Sequence, residues 1–159
     1  MSDIDTAVQF VTFQLGNEKY GIDIMDVREI VGLKQIRPIP NAPPYVAGIL
    51  NLRGVIYPVI DLHKRFQIDK ADLSEDDKLL SGFVIIDVNR MQIGIIIDKV
   101  LRVVNIDSSE IKEPPQVITG IGAEYISGVI KREEDYLIIL NINRLFDPTE
   151  LQQLTRISQ

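Results

Sequence analysis

The only histidine of the chain lies two residues from an aspartate, in Asp61-Leu62-His63-Lys64-Arg65-Phe66. A carboxylate beside an imidazole is the beginning of a general-base pair, so a small-ligand or hydrolytic site built on Asp61 and His63 is one reading. The residues around it are charged and end a strand-like run, where an exposed imidazole is the expectation. The rest of an enzyme is hard to assemble. With no cysteine and one histidine, zinc clusters, disulfides and cysteine nucleophiles are excluded. Glu75-Asp76-Asp77 lacks the alternating ligands and the glycine of a calcium loop and reads as solvated connector. Gly120-Ile121-Gly122-Ala123-Glu124-Tyr125 opens like a dinucleotide loop but lacks the third glycine and any βαβ setting. There is no Gly-Lys-Ser/Thr phosphate loop and no basic-aromatic interleaving of the kind that reads single strands. No catalytic residue, metal site or cofactor is expected, and the chemistry left is that of contact.

The elements that must present such contacts are mostly strands. Residues 10–15, 49–52, 55–60, 82–88, 92–97 and 136–142 are short, β-branched runs bounded by Gly, Asn or Pro, the pattern of an all-β barrel or sandwich. Residues 22–31 read as a strand, a tight turn near Asp26 and a second strand. Helices should be few. Asp147-Pro148-Thr149-Glu150 supplies a cap, a proline at the first helical position and an acid at the third, which starts a short C-terminal helix. Pro43-Pro44-Tyr45-Val46 offers one helical turn before the strand at Ile49.

The chain has 159 residues, is 45% hydrophobic and 25% charged, and so has room for one ordinary domain or two very small ones. Its net charge of −6 and pI near 4.8 argue against non-specific binding to nucleic acid or anionic lipid while leaving room for a local basic site. No apolar run approaches the ~20 residues that span a bilayer, and the start carries no basic leader. A cytoplasmic protein without membrane insertion is the expectation.

An internal duplication divides the chain. Residues 10–31 superimpose on 83–104 at a shift of 73, with seven identities in 22 positions, among them Phe10/Phe83, Gly21/Gly94, Ile22/Ile95 and Val31/Val104. Residues 48–66 superimpose on 128–146 at a shift of 80, from Gly48/Gly128 to Phe66/Phe146. One copy spans 10–66 and the other 83–146. Units of ~60 residues are marginal alone, so the copies should share a core. The connector, 67–82, holds five acids against two lysines, half of the net charge, and is expected to be solvated and mobile. Residues 147–159 form the helix and tail.

Because packing makes core positions agree between copies, a special residue present in one copy only is a functional candidate. The sharpest difference is Asn51-Leu52-Arg53-Gly54 against Lys131-Arg132-Glu133-Glu134. The second is an ordinary charged hairpin turn. In the first, glycine permits positive φ and close approach, and arginine offers five donors on a stem that lies well on apolar surface. That combination suits an interface anchor.

These residues resemble a known family. The run from Phe10 to Ile24, Val27-Arg28-Glu29-Ile30, Pro38-Ile39-Pro40-Asn41-Ala42-Pro43, and above all Gly48-Ile49-Leu50-Asn51-Leu52-Arg53-Gly54 leading to Pro58-Val59-Ile60-Asp61-Leu62 are similar to the CheW family of chemotaxis coupling proteins, in order from about Phe10 to Phe146. The resemblance implies a single CheW-like domain over 1–159, made of two SH3-like five-stranded β-barrels on a common core. It implies a cytoplasmic, non-enzymatic adaptor recruited to membrane receptor arrays. The partners implied are the regulatory domain of the histidine kinase CheA, the cytoplasmic hairpin tip of methyl-accepting receptors, and other copies of the adaptor within arrays. Carried over residue by residue, Arg53 faces the receptor, with Asn51, Leu52 and Gly54 shaping its turn. Glu29, Val27 and Gly48 lie near surfaces that bind kinase or receptor. A CheW-like domain of a CheV-like adaptor is the neighbouring alternative; thirteen residues follow Phe146, fewer than a receiver domain needs, so that reading requires a truncated chain.

Overall fold

Ten strands take up most of the β-branched residues, and their hydrogen bonding follows the duplication pair for pair. The computed structural model describes residues 7–113, 123–132 and 135–158. Residues 1–6, the 120–122 part of the Gly-rich run and the Glu133 and Glu134 turn lie outside them. The strands are β1 (Ala7–Leu15), β2 (Glu18–Asp23), β3 (Val27–Gly32), β4 (Val46–Leu52), β5 (Val55–Ile60), β6 (Gly82–Val88), β7 (Met91–Ile97), β8 (Lys99–Asp107), β9 (Ile126–Arg132) and β10 (Asp135–Leu140). Among the described residues, α1 (Leu62–Phe66) and α2 (Glu75–Lys78) lie between β5 and β6, and α3 (Pro148–Ser158) follows β10.

Two mixed sheets of five strands result, β8-β1-β2-β10-β9 and β3-β6-β7-β5-β4. Substituting β6 for β1, β7 for β2, β3 for β8, β5 for β10 and β4 for β9 turns the first order into the second. The registers agree as well. Phe10 pairs with Val104 and Phe83 with Val31, while the parallel contacts are Ile139 to Gly21 and Val59 to Gly94. Each match is the one expected at shifts of 73 and 80. The sheets do not follow the boundaries of the copies, however. The first takes β1 and β2 from the first copy and β8–β10 from the second; the other takes β3–β5 and β6–β7. Each copy donates its opening hairpin to the sheet that the other copy completes.

The core has three parts. Phe10, Ile106, Ile130, Leu137 and Ile139 fill the inside of the first sheet, and Val31, Leu50, Leu52, Tyr57, Val59, Phe83 and Ile85 fill the inside of the second. Between the sheets lies a cluster that holds 23 buried residues among those described, including Phe13, Tyr20, Ile22, Val84, Ile86, Ile93, Ile95 and Ile138. At ~2 kcal/mol for each large apolar side chain, the shared cluster outweighs either interior by several fold. The expected pair of barrels on a common core is therefore held together chiefly at their junction.

Local chemistry explains the ends of elements. Residues 22–31 form strand, 3-10 turn (Ile24–Asp26) and strand as expected, with the Asp23 side chain accepting from Met25 N at 2.9 Å. The C-terminal helix begins with a capping box: Asp147 Oδ1 accepts from Glu150 N at 2.8 Å and Glu150 Oε1 accepts from Asp147 N at 2.9 Å. Two expectations need correcting. Residues 43–46 make a turn closed by Val46 N to Pro43 O at 2.9 Å rather than a helical turn, and β4 already starts at Val46. The connector is anchored rather than loose, because Ile68 packs on the shared core, Val100 N donates to Leu80 O at 2.9 Å and Lys99 Nζ meets Asp77 Oδ1 at 3.1 Å. No helix among the described residues is long and apolar enough to cross a membrane.

Candidate functional site

The β4–β5 hairpin turns on Arg53 and Gly54 alone, and both have positive φ, 54° and 84°, as a two-residue turn that matches strand twist requires. Glycine takes this conformation freely, whereas arginine does so at a cost of ~1 kcal/mol. Asn51 Oδ1 accepts from Gly54 N at 3.1 Å and ties the turn, and Leu52 is buried inside the second sheet. Asn51, Leu52 and Gly54 thus fix the backbone from which Arg53 projects, 67% exposed at its side chain.

Glu29, on edge strand β3, reaches the same place across the mouth of the sheet. Arg53 Nη2 donates to Glu29 Oε1 and Oε2, both at 2.7 Å. The two site residues, 24 apart in sequence, form one unit, and the hydrogen bond to Glu29 holds the guanidinium's pKa above its ordinary value. Among the described residues, only Nη2 is engaged. Nη1 and Nε remain available for a carboxylate or carbonyl brought by another molecule. Three apolar residues close in sequence to this pair, Ile30, Leu33 and Val55, are exposed.

Val27 and Gly48 are placed differently. Val27 is half-buried, pairs with Ile86 and packs on the shared core. Gly48 has φ of 151°, and a Cβ there would stand 2.3 Å from Arg37 O and 2.7 Å from Ile36 Cγ2. The bare glycine lets residues 36–37 lie against β4, where Arg37 and Ile49 exchange two backbone hydrogen bonds of 2.9 Å. Val27 stands two residues before Glu29 on β3, and Gly48 five residues before Arg53 at the far end of β4.

His63 departs from expectation. It is 3% exposed, with Nδ1 3.2 Å from Asp61 Oδ1 and Nε2 2.8 Å from Asp98 Oδ2. The reason is α1, which residue composition alone did not suggest. Asp61 accepts from His63 N at 2.9 Å and Lys64 N at 3.3 Å and so caps a short helix, which turns His63 inward while Lys64 faces out. With both ring nitrogens closed off by carboxylates, the imidazole has no path to an outside substrate.

Arg65, also missed by sequence reasoning, is half-buried at the other side of α1. Its guanidinium bonds both oxygens of Glu150 at 2.5 and 2.6 Å and Leu145 O at 2.9 Å, and it lies 4.7 Å from the centre of the Tyr45 ring. This clamp pins the start of α3 to the end of the second sheet. Its one sequence signal was the pairing of a basic residue with the acid of the helix capping box.

Residues 9–150 match the family model described as CheW-like domain. The chain is 54% identical to the chemotaxis protein CheW of Treponema pallidum over 153 residues, which cover 96% of this chain and 90% of that one. It is 32% identical to CheW of Klebsiella aerogenes, covering 95% and 89%. Among solved structures, it superimposes on the scaffolding protein TtCheW from Thermoanaerobacter tengcongensis with a TM-score of 0.79 at 38% identity, covering 90% of each chain. A family match across most of the chain, a relative above half identity and a common fold together place it: the chain belongs to the CheW family and is a non-enzymatic chemotaxis adaptor.

Proposed function

We propose that this adaptor couples the cytoplasmic tips of methyl-accepting receptors to the regulatory domain of the histidine kinase CheA, and that Arg53 is its receptor contact. The observation that carries the reading is the exposed guanidinium, set on a strained turn and held from one side by Glu29, with donors left over. A receptor tip is a helical bundle. Its apolar face fits aliphatic surface such as Ile30, Leu33 and Val55, while Arg53 pairs with a helix carboxylate or carbonyl. Glu29 then fixes the direction of Arg53, and Val27 and Gly48 support the strands beneath. Kinase binding falls to the barrel ends, and through both contacts the chain sits at receptor arrays, with further copies of itself as additional array contacts.

Arg53→Glu should reduce co-sedimentation with a receptor cytoplasmic fragment by at least tenfold, the ~1.4 kcal/mol or more expected when a charged interface anchor is reversed. Its melting temperature should stay within about 4 °C, because exposed ion pairs contribute little to stability. Glu29→Lys should weaken the same complex. A loss of folding equal to the loss of binding would make the Arg53 and Glu29 pair structural, and unchanged affinity in both variants would remove it from the receptor site.

A further inference from the structure

The Asp61, His63 and Asp98 cluster lies where four separate pieces of the chain meet. Asp61 follows β5 and caps α1, His63 sits in α1, and Asp98 follows β7. Asp98 Oδ2 also accepts from Gly16 N, in the β1–β2 turn of the other sheet, at 2.6 Å, and from Ala71 N, in the connector, at 3.1 Å. Asp98 N donates to Gln14 O at 3.0 Å and its carbonyl accepts from Ser81 Oγ at 2.6 Å. All three side chains are buried.

The geometry sets the charge. Both ring nitrogens face carboxylate oxygens, which only accept, so both must carry protons. The imidazolium leaves one net negative charge among the three groups, which the Gly16 and Ala71 amides help to hold. A neutral ring would leave two buried carboxylates, one of them against a bare nitrogen lone pair, a high cost in a medium of low dielectric.

The duplication supplies a control within the same molecule. The equivalents of Asp61, His63 and Asp98 in the other copy are Asn141, Asn143 and Met25. Met25 is 83% exposed, Asn143 is exposed, and Asn141 makes no side-chain cap. The three equivalent positions therefore carry no charge and are not drawn together, so the cluster is an addition to one junction of the duplicated fold.

We propose that the His63 imidazolium is a bolt that fastens the β1–β2 turn of one sheet and the connector to the other sheet through Asp98, and that loss of its proton releases both. Burial disfavours the cation, but the bonds and charges of Asp61 and Asp98 outweigh it and raise the ring's pKa to about 9; the same contacts lower both carboxyls. Lys70 of the connector also bears on the cluster and acts on Asp61 in the same direction. Since the folded pKa lies above the unfolded value of 6.5, the stabilisation is complete below pH 6.5 and is lost as pH rises through about 9.

A single histidine makes the test unambiguous. In ¹⁵N imidazole spectra of the full chain, both ring nitrogens should be protonated at pH 7 and titrate near pH 9. As they do, exchange at the Gly16 and Ala71 amides should accelerate beyond the ordinary rise with hydroxide. A neutral tautomer at pH 7, or ring titration with no added exchange at these amides, would overturn the proposal. In His63→Asn, and in Asp61→Asn/His63→Asn/Asp98→Met, which copies the other junction, exchange at those two amides should already be about tenfold or more faster at pH 7, with the alkaline loss of thermal stability much reduced. Protection and pH dependence like those of the unaltered chain would likewise overturn it.

Discussion

Cut in the connector and expressed separately, residues 1–74 and 75–159 will each lack a cooperative unfolding transition, and mixing them will restore one. The effect is the whole stability of the protein, ~5–15 kcal/mol for a domain of this kind. The first fragment retains the β1–β2 and β4–β5 hairpins and β3, but these lie in two sheets and make no ladder with one another. Isolated hairpins are marginal at best. The parallel contacts between β2 and β10 and between β5 and β7, the antiparallel ladders of β1 with β8 and of β3 with β6, and nearly all of the shared core cross the cut. Urea titration followed by circular dichroism decides the matter. A cooperative transition in either fragment alone would mean that one copy closes a barrel without the other.

Gly48→Ala will cost about 3 kcal/mol in urea denaturation. The new Cβ would stand 2.3 Å from Arg37 O, against backbone that has no rotamer to change. Residues 36–37 must lift from β4, at the expense of two hydrogen bonds of ~1 kcal/mol each, and alanine adds ~1 kcal/mol for the φ of 151°. Gly54→Ala separates these contributions, because its φ is 84° but no atom lies within 4 Å of the added Cβ, and about 1 kcal/mol is expected. Partner binding lost in Gly48→Ala should fall in step with stability. Full stability with lost binding would make Gly48 a contact surface instead.

The duplication was legible because packing holds glycines and aromatics at equivalent positions, as Gly21/Gly94 and Phe10/Phe83 show. Which strands pair was not. Equivalent strands carry the same alternation, so β1 and β6 present the same pattern to any neighbour, and periodicity does not distinguish pairing within a copy from pairing between copies. The C-terminal helix was readable because its capping box is local. Arg53 and Glu29 could each be singled out, Arg53 by its absence from the other copy. Their bond depends on the closing of an edge strand over a hairpin tip, which no spacing expresses. His63 was misjudged because Lys64 and Arg65 suggested an exposed segment. A five-residue helix capped by Asp61 sends these neighbours in different directions, and Asp98, the second carboxylate on the ring, is 35 residues away.

The central claim is that this chain physically joins receptor to kinase. With a receptor cytoplasmic fragment immobilised, the regulatory domain of CheA should be retained when the adaptor is added, and should fall to background without it or when Arg53→Glu replaces it. Retention of the kinase domain at the same level with and without the adaptor, or with the adaptor bound to neither partner, would contradict the account.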